Sequence, residues 1–144
     1  MSRTLRAWGA ILALVLHLAA GPAFAQTAEQ LAGFAKDSFS ETEKALADLA
    51  AGGGPRALAI VEALRDGKLV ASPSTQRVFV KTDAGAILDA ANGVAVSDAP
   101  VDAAQVRLNN RLRRAVDQAI GSLTMTAPDP ARRLAAAKSV MKAR

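Results

Sequence analysis

The residue types that remain after an expected export cleavage restrict this chain more than any other feature. Residues 1–25 have the pattern of a secretory signal peptide: Arg3 and Arg6 supply positive charge, residues 8–20 are almost wholly apolar, and residues 23–25 form a small-x-small cleavage site. The apolar run falls short of the roughly 20 residues that a membrane-spanning helix needs. We therefore expect cleavage after residue 25. An uncleaved membrane anchor is the alternative.

The mature chain predicted by this cleavage starts at Gln26 and has few side chains suited to catalysis. Trp8 and His17 lie in the signal, so the mature chain contains no Cys, His, Trp or Tyr, and its aromatic residues are Phe34, Phe39 and Phe79. A Ser–His–Asp triad, a Cys–His pair, a disulfide and a metal site with His or Cys ligands are therefore excluded. We expect no catalytic residues, no metal site, no cofactor and no enzymatic activity.

Charge is distributed unevenly along the mature chain. Residues 26–106 hold seven basic and eleven acidic residues, whereas residues 107–144 hold nine basic and two acidic residues, a net charge of +7. A basic region often binds nucleic acid, but an exported protein rarely meets it. We expect the basic C-terminal part to face an anionic membrane surface or an acidic partner protein, and we expect no nucleic-acid binding.

Capping patterns and helical spacing of apolar residues predict three helices in the first part of the mature chain, near 28–37, over 40–52 and over 55–66. The period then changes. Alternation over 77–81 is typical of a strand, and Asn92-Gly93 between two apolar runs is typical of a hairpin turn. We interpret residues 67–97 as a small β-meander of two or three strands, inserted between helices.

Two further helices are predicted after the β-insert. The first is expected over 102–123, and the second begins at Asp129-Pro130 with its inner face formed by Leu134, Ala137, Val140 and Met141. Two such antiparallel helices, together with a comparable pair over 40–66, are typical of a HEAT-like repeat. The fold class expected is mainly α, with HEAT-like helical hairpins and a small β-meander, in one extracytoplasmic domain over residues 26–144.

The densest polar cluster of the chain falls in the predicted helix over 102–123. Arg107, Arg111 and Arg114 follow the i, i+4, i+7 spacing of one helix face. Asn109 is expected at the edge of the buried stripe, where its amide could bond a loop carbonyl. A solvated arginine face with one satisfied Asn is one interpretation. The other is a partner-binding face that consists of Arg107, Asn110, Arg111 and Arg114.

Several segments of the chain resemble one family. The stretch 106–115, the Ala-Pro-Asp-Pro-Ala turn at 127–131 and the segment 133–137 resemble the periplasmic N-terminal region of the urea-type ABC transporter permease, in the branched-chain amino acid permease group. The earlier segments 54–58 and 63–69 fit the same region in the same order. The resemblance implies a non-enzymatic extracytoplasmic domain of a urea or branched-chain amino acid importer, contributing to transporter assembly or to docking of the solute-binding protein.

The chain departs from that family because no apolar segment of about 20 residues follows the signal. It is then either a fragment of a permease or a domain that stands alone, and we assign no channel activity to it. The resemblance implies the permease and the solute-binding protein as partners. The expected location is the periplasm, with membrane association if the chain is a permease fragment. A free-standing periplasmic HEAT-like adaptor, unrelated to transport, is the alternative.

Overall fold

The computed structural model describes residues 28–126 together with Leu134, Lys138 and Met141. Within residues 28–126, helix α1 is followed by a 3-10 turn, helices α2 and α3, five β-strands and helix α4. The helical elements are α1 (Ala28–Ala32), the 3-10 turn (Gly33–Ala35), α2 (Phe39–Gly52), α3 (Ala57–Arg65) and α4 (Asn110–Met125). The strands are β1 (Leu69–Ser72), β2 (Arg77–Lys81), β3 (Ile87–Asp89), β4 (Ala95–Val96) and β5 (Ala104–Gln105).

The strands form one antiparallel sheet in the order β4-β3-β2-β1-β5. Successive hairpins connect β1 to β4, and the chain then returns to place β5 on the other side of β1. Val70 of β1 lies opposite Phe79 on one side and Gln105 on the other. Both edge strands have only two residues, which is a common way to discourage unwanted pairing with other chains.

The main core lies between one face of the sheet and the helices. Leu69, Ala71 and Val78 alternate along β1 and β2 and are buried in this core. Helix α1, the 3-10 turn and α3 contact β1 or β2, while α2 and α4 pack on the other helices. Helix α4 buries a stripe at helical spacing, which consists of Leu112, Val116, Ala119 and Leu123.

An ion pair lies on the opposite face of the sheet. Val70 and Phe79 are buried there, and Phe79 has no exposed surface. The Arg77 guanidinium lies over the Phe79 ring, with its Cζ 5.1 Å from the ring centroid. Its Nη2 donates to Asp89 Oδ2 at 2.6 Å. This charged pair therefore forms part of the cover over the Phe79 ring.

The prediction of a mainly α, HEAT-like fold is wrong, because the helices pack on a five-stranded antiparallel sheet. The expected meander of two or three strands over residues 67–97 contains four, and β5 lies beyond it. The sequence pattern underestimates the number of strands, because three of the five have only two or three residues. Such short strands show no clear alternation of apolar and polar residues.

The prediction that a helix starts at Asp102 is also wrong. The Asp102 carboxylate accepts hydrogen bonds from Ser72 Oγ and from the Ser74 N–H, at 2.7 and 2.9 Å. The Val106 N–H donates to the carbonyl of Leu69 at 3.0 Å. These bonds hold residues 102–106 against the sheet, so α4 begins only at Asn110.

Several local predictions are confirmed. A strand occupies 77–81, and a hairpin joins β3 to β4 through Asn92-Gly93, where Gly93 has a φ of +77° and Asn92 Oδ1 accepts the Val94 N–H. The helices expected over 40–52 and 55–66 are present within one or two residues. The helix expected near 28–37 is shorter, because α1 ends at Ala32 and the 3-10 turn that follows it ends at Ala35.

Other predictions fall partly or wholly outside the described residues, including the signal over 1–25. Of the predicted last helix, Leu134, Lys138 and Met141 are helical. Leu134 is 57% exposed and Met141 77% exposed, so their placement on an inner face is wrong; Ala137 and Val140 lie outside the described residues. Among the residues that are described, none of the helices combines the length and the apolar character that crossing a bilayer requires.

The cap of α4 gives the first prediction. Asn109 Oδ1 accepts the Leu112 N–H at 2.8 Å and thereby satisfies a donor that the first helical turn leaves free. We expect Asn109→Ala to lower the free energy of unfolding by about 1 kcal/mol, measured by urea denaturation. Asn110→Ala is the matched control, because Asn110 is exposed and already helical. Equal losses in both variants would contradict the capping role.

Two glycines give the second prediction. A Cβ on Gly33 would lie 2.8 Å from the Cβ of Ala45 and 3.0 Å from the carbonyl oxygen of Glu41, so Gly33→Ala forces the 3-10 turn away from α2. We expect it to cost about 1–3 kcal/mol of unfolding free energy. Gly121 lies within α4 with open space around it, and Gly121→Ala should stabilise the protein by up to about 1 kcal/mol. Thermal denaturation should give shifts of opposite sign.

Candidate functional site

The structure separates the four residues predicted to bind a partner. Arg107 precedes α4, whereas Asn110, Arg111 and Arg114 belong to its first turns. The prediction that Arg107, Arg111 and Arg114 share one helix face is therefore wrong. The pattern fails because i, i+4, i+7 spacing has meaning only inside a helix, and residues 102–109 are not helical.

Arg107 and Arg111 clamp the start of α4 to the start of α2. Arg107 donates through Nε and Nη2 to Asp37 Oδ1, at 3.2 and 2.8 Å. Arg111 donates through the same two atoms to Glu43 Oε1, at 3.0 and 2.8 Å. Both arginines are exposed, so each pair contributes only about 0.2–1 kcal/mol. Their main consequence is that two cations have fixed positions.

The other residues of the predicted cluster have simpler surroundings. Asn109 caps α4 through its side-chain oxygen, and the predicted hydrogen bond from its amide to a loop carbonyl is not found within the described residues. Asn110 and Arg114 are exposed. Within residues 28–126, Arg114 makes no ion pair, so its guanidinium remains available to solvent or to a partner.

A groove runs beside strand β5. Two adjoining cavities of about 220 and 380 Å³ share Phe39, Gln105, Val106 and Arg107 in their lining. We call these two cavities together the β5 groove. The smaller cavity lies towards the 3-10 turn and includes Asp37, and the larger one lies towards α3 and α4. The groove therefore borders the edge of the sheet over the whole length of β5.

Phe39 is the exposed aromatic side chain of this groove, whereas Phe34, which also lines the smaller cavity, is buried. Phe39 is the first residue of α2 and is 45% exposed, although it is one of only three aromatic residues after the predicted signal. The Arg107 guanidinium lies over its ring, with Cζ 5.7 Å from the centroid. Because the same guanidinium is bonded to Asp37, the ring and the cation are held together at the surface.

The outer backbone of β5 is available for pairing. Among the described strands β5 lies at the sheet edge, next to β1 only. The Val106 N–H donates to the Leu69 carbonyl, so these two residues form a hydrogen-bonded antiparallel pair. Hydrogen-bonded and non-hydrogen-bonded pairs alternate, which makes Gln105–Val70 a non-hydrogen-bonded pair. The N–H and C=O of Gln105 therefore point away from β1, towards the open edge.

The charged side chains that line the larger cavity are all arginines, namely Arg65, Arg107 and Arg113. Arg65 Nε donates to Asp66 Oδ1 at 2.9 Å, and the pKa of Arg65 is raised chiefly by this carboxylate. Within the described part of the chain Arg113 makes no ion pair; the pairing with Asp117 that its spacing allows is not formed. Of these three arginines only Arg113 lacks a carboxylate partner among the described residues, and this side chain favours an anionic occupant of the larger cavity.

The Asp102 carboxylate fixes the position of β5. It accepts hydrogen bonds from Ser72, at the end of β1, and from Ser74, in the turn that follows. Ser72 is fully buried, and its hydroxyl also accepts a hydrogen bond from Thr75 Oγ1 at 2.9 Å. These bonds lower the pKa of Asp102 from 3.8 to about 2, with the Ser72 hydroxyl as the largest cause and the Ser74 N–H next. The carboxylate thus stays ionised over nearly the whole acidic range.

Sequence reasoning missed three residues of the groove: Phe39, Gln105 and Arg65. The capping pattern predicts a helix over 40–52, so Phe39 is the residue just before it. A large apolar residue at that position is normally assigned to the core. Gln105 was assigned to a helix. Its side-chain Nε2 would lie 2.5 Å from a Cβ on Gly67, so the glycine at position 67 is the sequence feature that permits this close approach.

The described carboxylates do not gather into a metal site, since no three Asp or Glu side chains within residues 28–126 come close enough to hold an ion. Comparison of the chain with protein-family models, with curated proteins and with solved structures gave no match.

The Asp102 hydrogen bonds give the third prediction. A carboxyl whose pKa is lowered by folding stabilises the protein above its unfolded pKa and loses this effect as the pH falls through its folded pKa. Asp102 should therefore contribute fully above pH 3.8 and progressively less down to about pH 2. We expect Asp102→Asn to be less stable than wild type at neutral pH and the gap to close between these values.

The measurement is urea denaturation over this pH range. Asp98→Asn removes the same charge from an exposed position nearby and should keep the wild-type pH dependence. A gap between wild type and Asp102→Asn that stays constant down to pH 2 would show that the carboxylate does not act through its ionised form.

Proposed function

We propose that this chain is a non-enzymatic extracytoplasmic docking domain of a urea or branched-chain amino acid ABC importer, which organises the permease or receives its solute-binding protein. The observation that carries the docking role is the β5 groove. It combines an open strand edge, a surface aromatic residue and fixed cations. Groups of this kind suit recognition of another protein, because they offer hydrogen bonds, apolar contact and charge in one place.

The residues of the resemblance and the residues of the groove overlap. The stretch 106–115 resembles the urea-type permease region, and in the structure it supplies Val106, Arg107 and Arg113 to the groove lining. The same stretch contains the helix cap Asn109 and the clamp residue Arg111. The segment on which the importer assignment rests therefore also forms one wall of the groove. The resemblance and the groove thus point to the same surface of the domain.

Charge supports the same role. The chain from residue 107 onwards carries a net charge of +7, and Arg113 and Arg114 lie exposed on α4 without an ion pair to any described residue. A cationic surface attracts acidic proteins and the anionic headgroups of a nearby membrane. A domain that sits beside a permease meets both. A free-standing periplasmic adaptor unrelated to transport is the second candidate, favoured by the same groove.

The fourth prediction concerns the assembly of the importer. The natural protein, tagged and expressed at its own level in its own cells, is cross-linked from the periplasmic side, and the products are identified by mass spectrometry. We expect permease, solute-binding protein or both among the products. Uptake of labelled urea or leucine should fall severalfold when the gene is deleted and should recover on complementation.

A variant pair sharpens this experiment. Arg114→Ala removes an exposed cation, and Gln118→Ala removes an exposed neutral side chain one turn further along α4. We expect weaker cross-linking with the first variant and wild-type cross-linking with the second. Cross-links confined to proteins outside any importer, with unchanged uptake of both solutes, would overturn the transport assignment and favour the adaptor.

A further inference from the structure

We propose that the β5 groove binds an acidic, extended segment of a partner protein, which adds to the sheet as a sixth strand beside β5. This inference deepens the docking role proposed above, and it does not depend on which solute is imported. It rests on three properties of the groove that recognise the same kind of ligand.

The first property is the backbone of the open edge. The N–H and C=O of Gln105 point away from β1, and an incoming strand can satisfy both of them with one residue of its own. Main-chain hydrogen bonds supply affinity in strand addition whatever the sequence of the ligand. Since the sheet is antiparallel throughout, an antiparallel addition continues its pattern.

The second property is the placement of the two cavities on either side of Arg107 and Phe39. Successive side chains of an extended segment point to opposite faces, so alternate residues of the ligand meet different parts of the groove. The exposed ring of Phe39 offers apolar contact next to the strand edge. A ligand with an apolar residue every second position therefore fits this surface.

The third property is charge, and it selects the partner. Arg65 and Arg107 are already oriented by carboxylates, and Arg113 makes no ion pair within residues 28–126. Arginine binds carboxylates through two parallel hydrogen bonds, which matches Glu or Asp side chains of a ligand. A second copy of this chain fits less well, because its own β5 would bring the same three arginines to the interface.

The experiment uses the full natural chain, freed from its signal by export, and a fluorescent extended peptide in which valine alternates with glutamate. Binding is measured by fluorescence anisotropy. We expect saturable binding that weakens with added salt, as charge screening requires. The matching valine–lysine peptide should not bind. A valine–glutamate peptide methylated on alternate backbone nitrogens should bind at least about tenfold more weakly, since it cannot form the strand hydrogen bonds.

Two variants test the residues. Arg113→Glu should weaken binding of the glutamate peptide by about tenfold, whereas Lys44→Glu, which reverses an exposed charge on α2 outside the groove lining, should leave it nearly unchanged. Gln105→Pro removes the outward N–H without removing a bond to β1, and it should abolish the difference between the methylated and the unmethylated peptide. Circular dichroism and urea denaturation establish that each variant is folded.

Each contrary result has a separate meaning. Equal binding of methylated and unmethylated peptides overturns strand addition, and equal binding of the lysine peptide overturns the role of the arginines. Full competition by free glutamate identifies a small carboxylate as the ligand, and concentration-dependent dimers with no peptide binding identify a second copy; either result overturns the proposal. Importer cross-links that survive Arg113→Glu and Gln105→Pro would leave the docking function standing and place it on another surface.

Discussion

One carboxylate, that of Asp102, determines where the chain after β4 returns to the sheet. Asp102 accepts the hydroxyl of Ser72, at the end of β1, and the N–H of Ser74, in the turn that follows. The following residues are thereby brought alongside β1, where the Val106 N–H finds the Leu69 carbonyl. The Asp102 bonds and the pairing of β5 with β1 together hold these residues on the sheet, although their apolar spacing also suits a helix. Strand β5, its open edge and the starting point of α4 all depend on that choice.

The start of α4 then follows from local chemistry. A helix can begin only where its first N–H groups find acceptors, and Asn109 provides one through its side chain. The pairs Arg107–Asp37 and Arg111–Glu43 connect the residues on both sides of this cap to the start of α2. They add little stability because they are exposed. Buried apolar residues on one stripe of α4 supply most of the packing energy.

The parts of the fold that sequence patterns predict correctly are those fixed by neighbours along the chain. Alternation over 77–81 identifies β2, and the positive φ available to Gly93 identifies the hairpin between β3 and β4. Residues 102–109 could not be predicted, because their conformation depends on a hydrogen bond to Ser72, thirty positions away. Long-range contacts of this kind override helical propensity, and no local pattern records them.

The candidate site follows the same division. Sequence reasoning found the basic cluster, since repeated arginines are visible in any window, but it assigned the cluster to one helix face. The structure instead distributes it between the end of β5 and the start of α4, with Phe39 and Gln105 brought in from elsewhere. Phe39 could not be recognised, because exposure of an aromatic residue is a property of the packed molecule.

The shortage of reactive side chains gives the backbone a larger share of any recognition by this protein. After the predicted cleavage the chain has no His, Cys, Trp or Tyr, and the recognition proposed for the β5 groove uses arginine, phenylalanine and main-chain groups. At the β5 edge these three are within one groove. Main-chain pairing supplies hydrogen bonds independently of side-chain type, and arginine adds preference for carboxylates. The surface proposed for binding suits an extended and acidic partner, and it uses no side chain that the chain lacks.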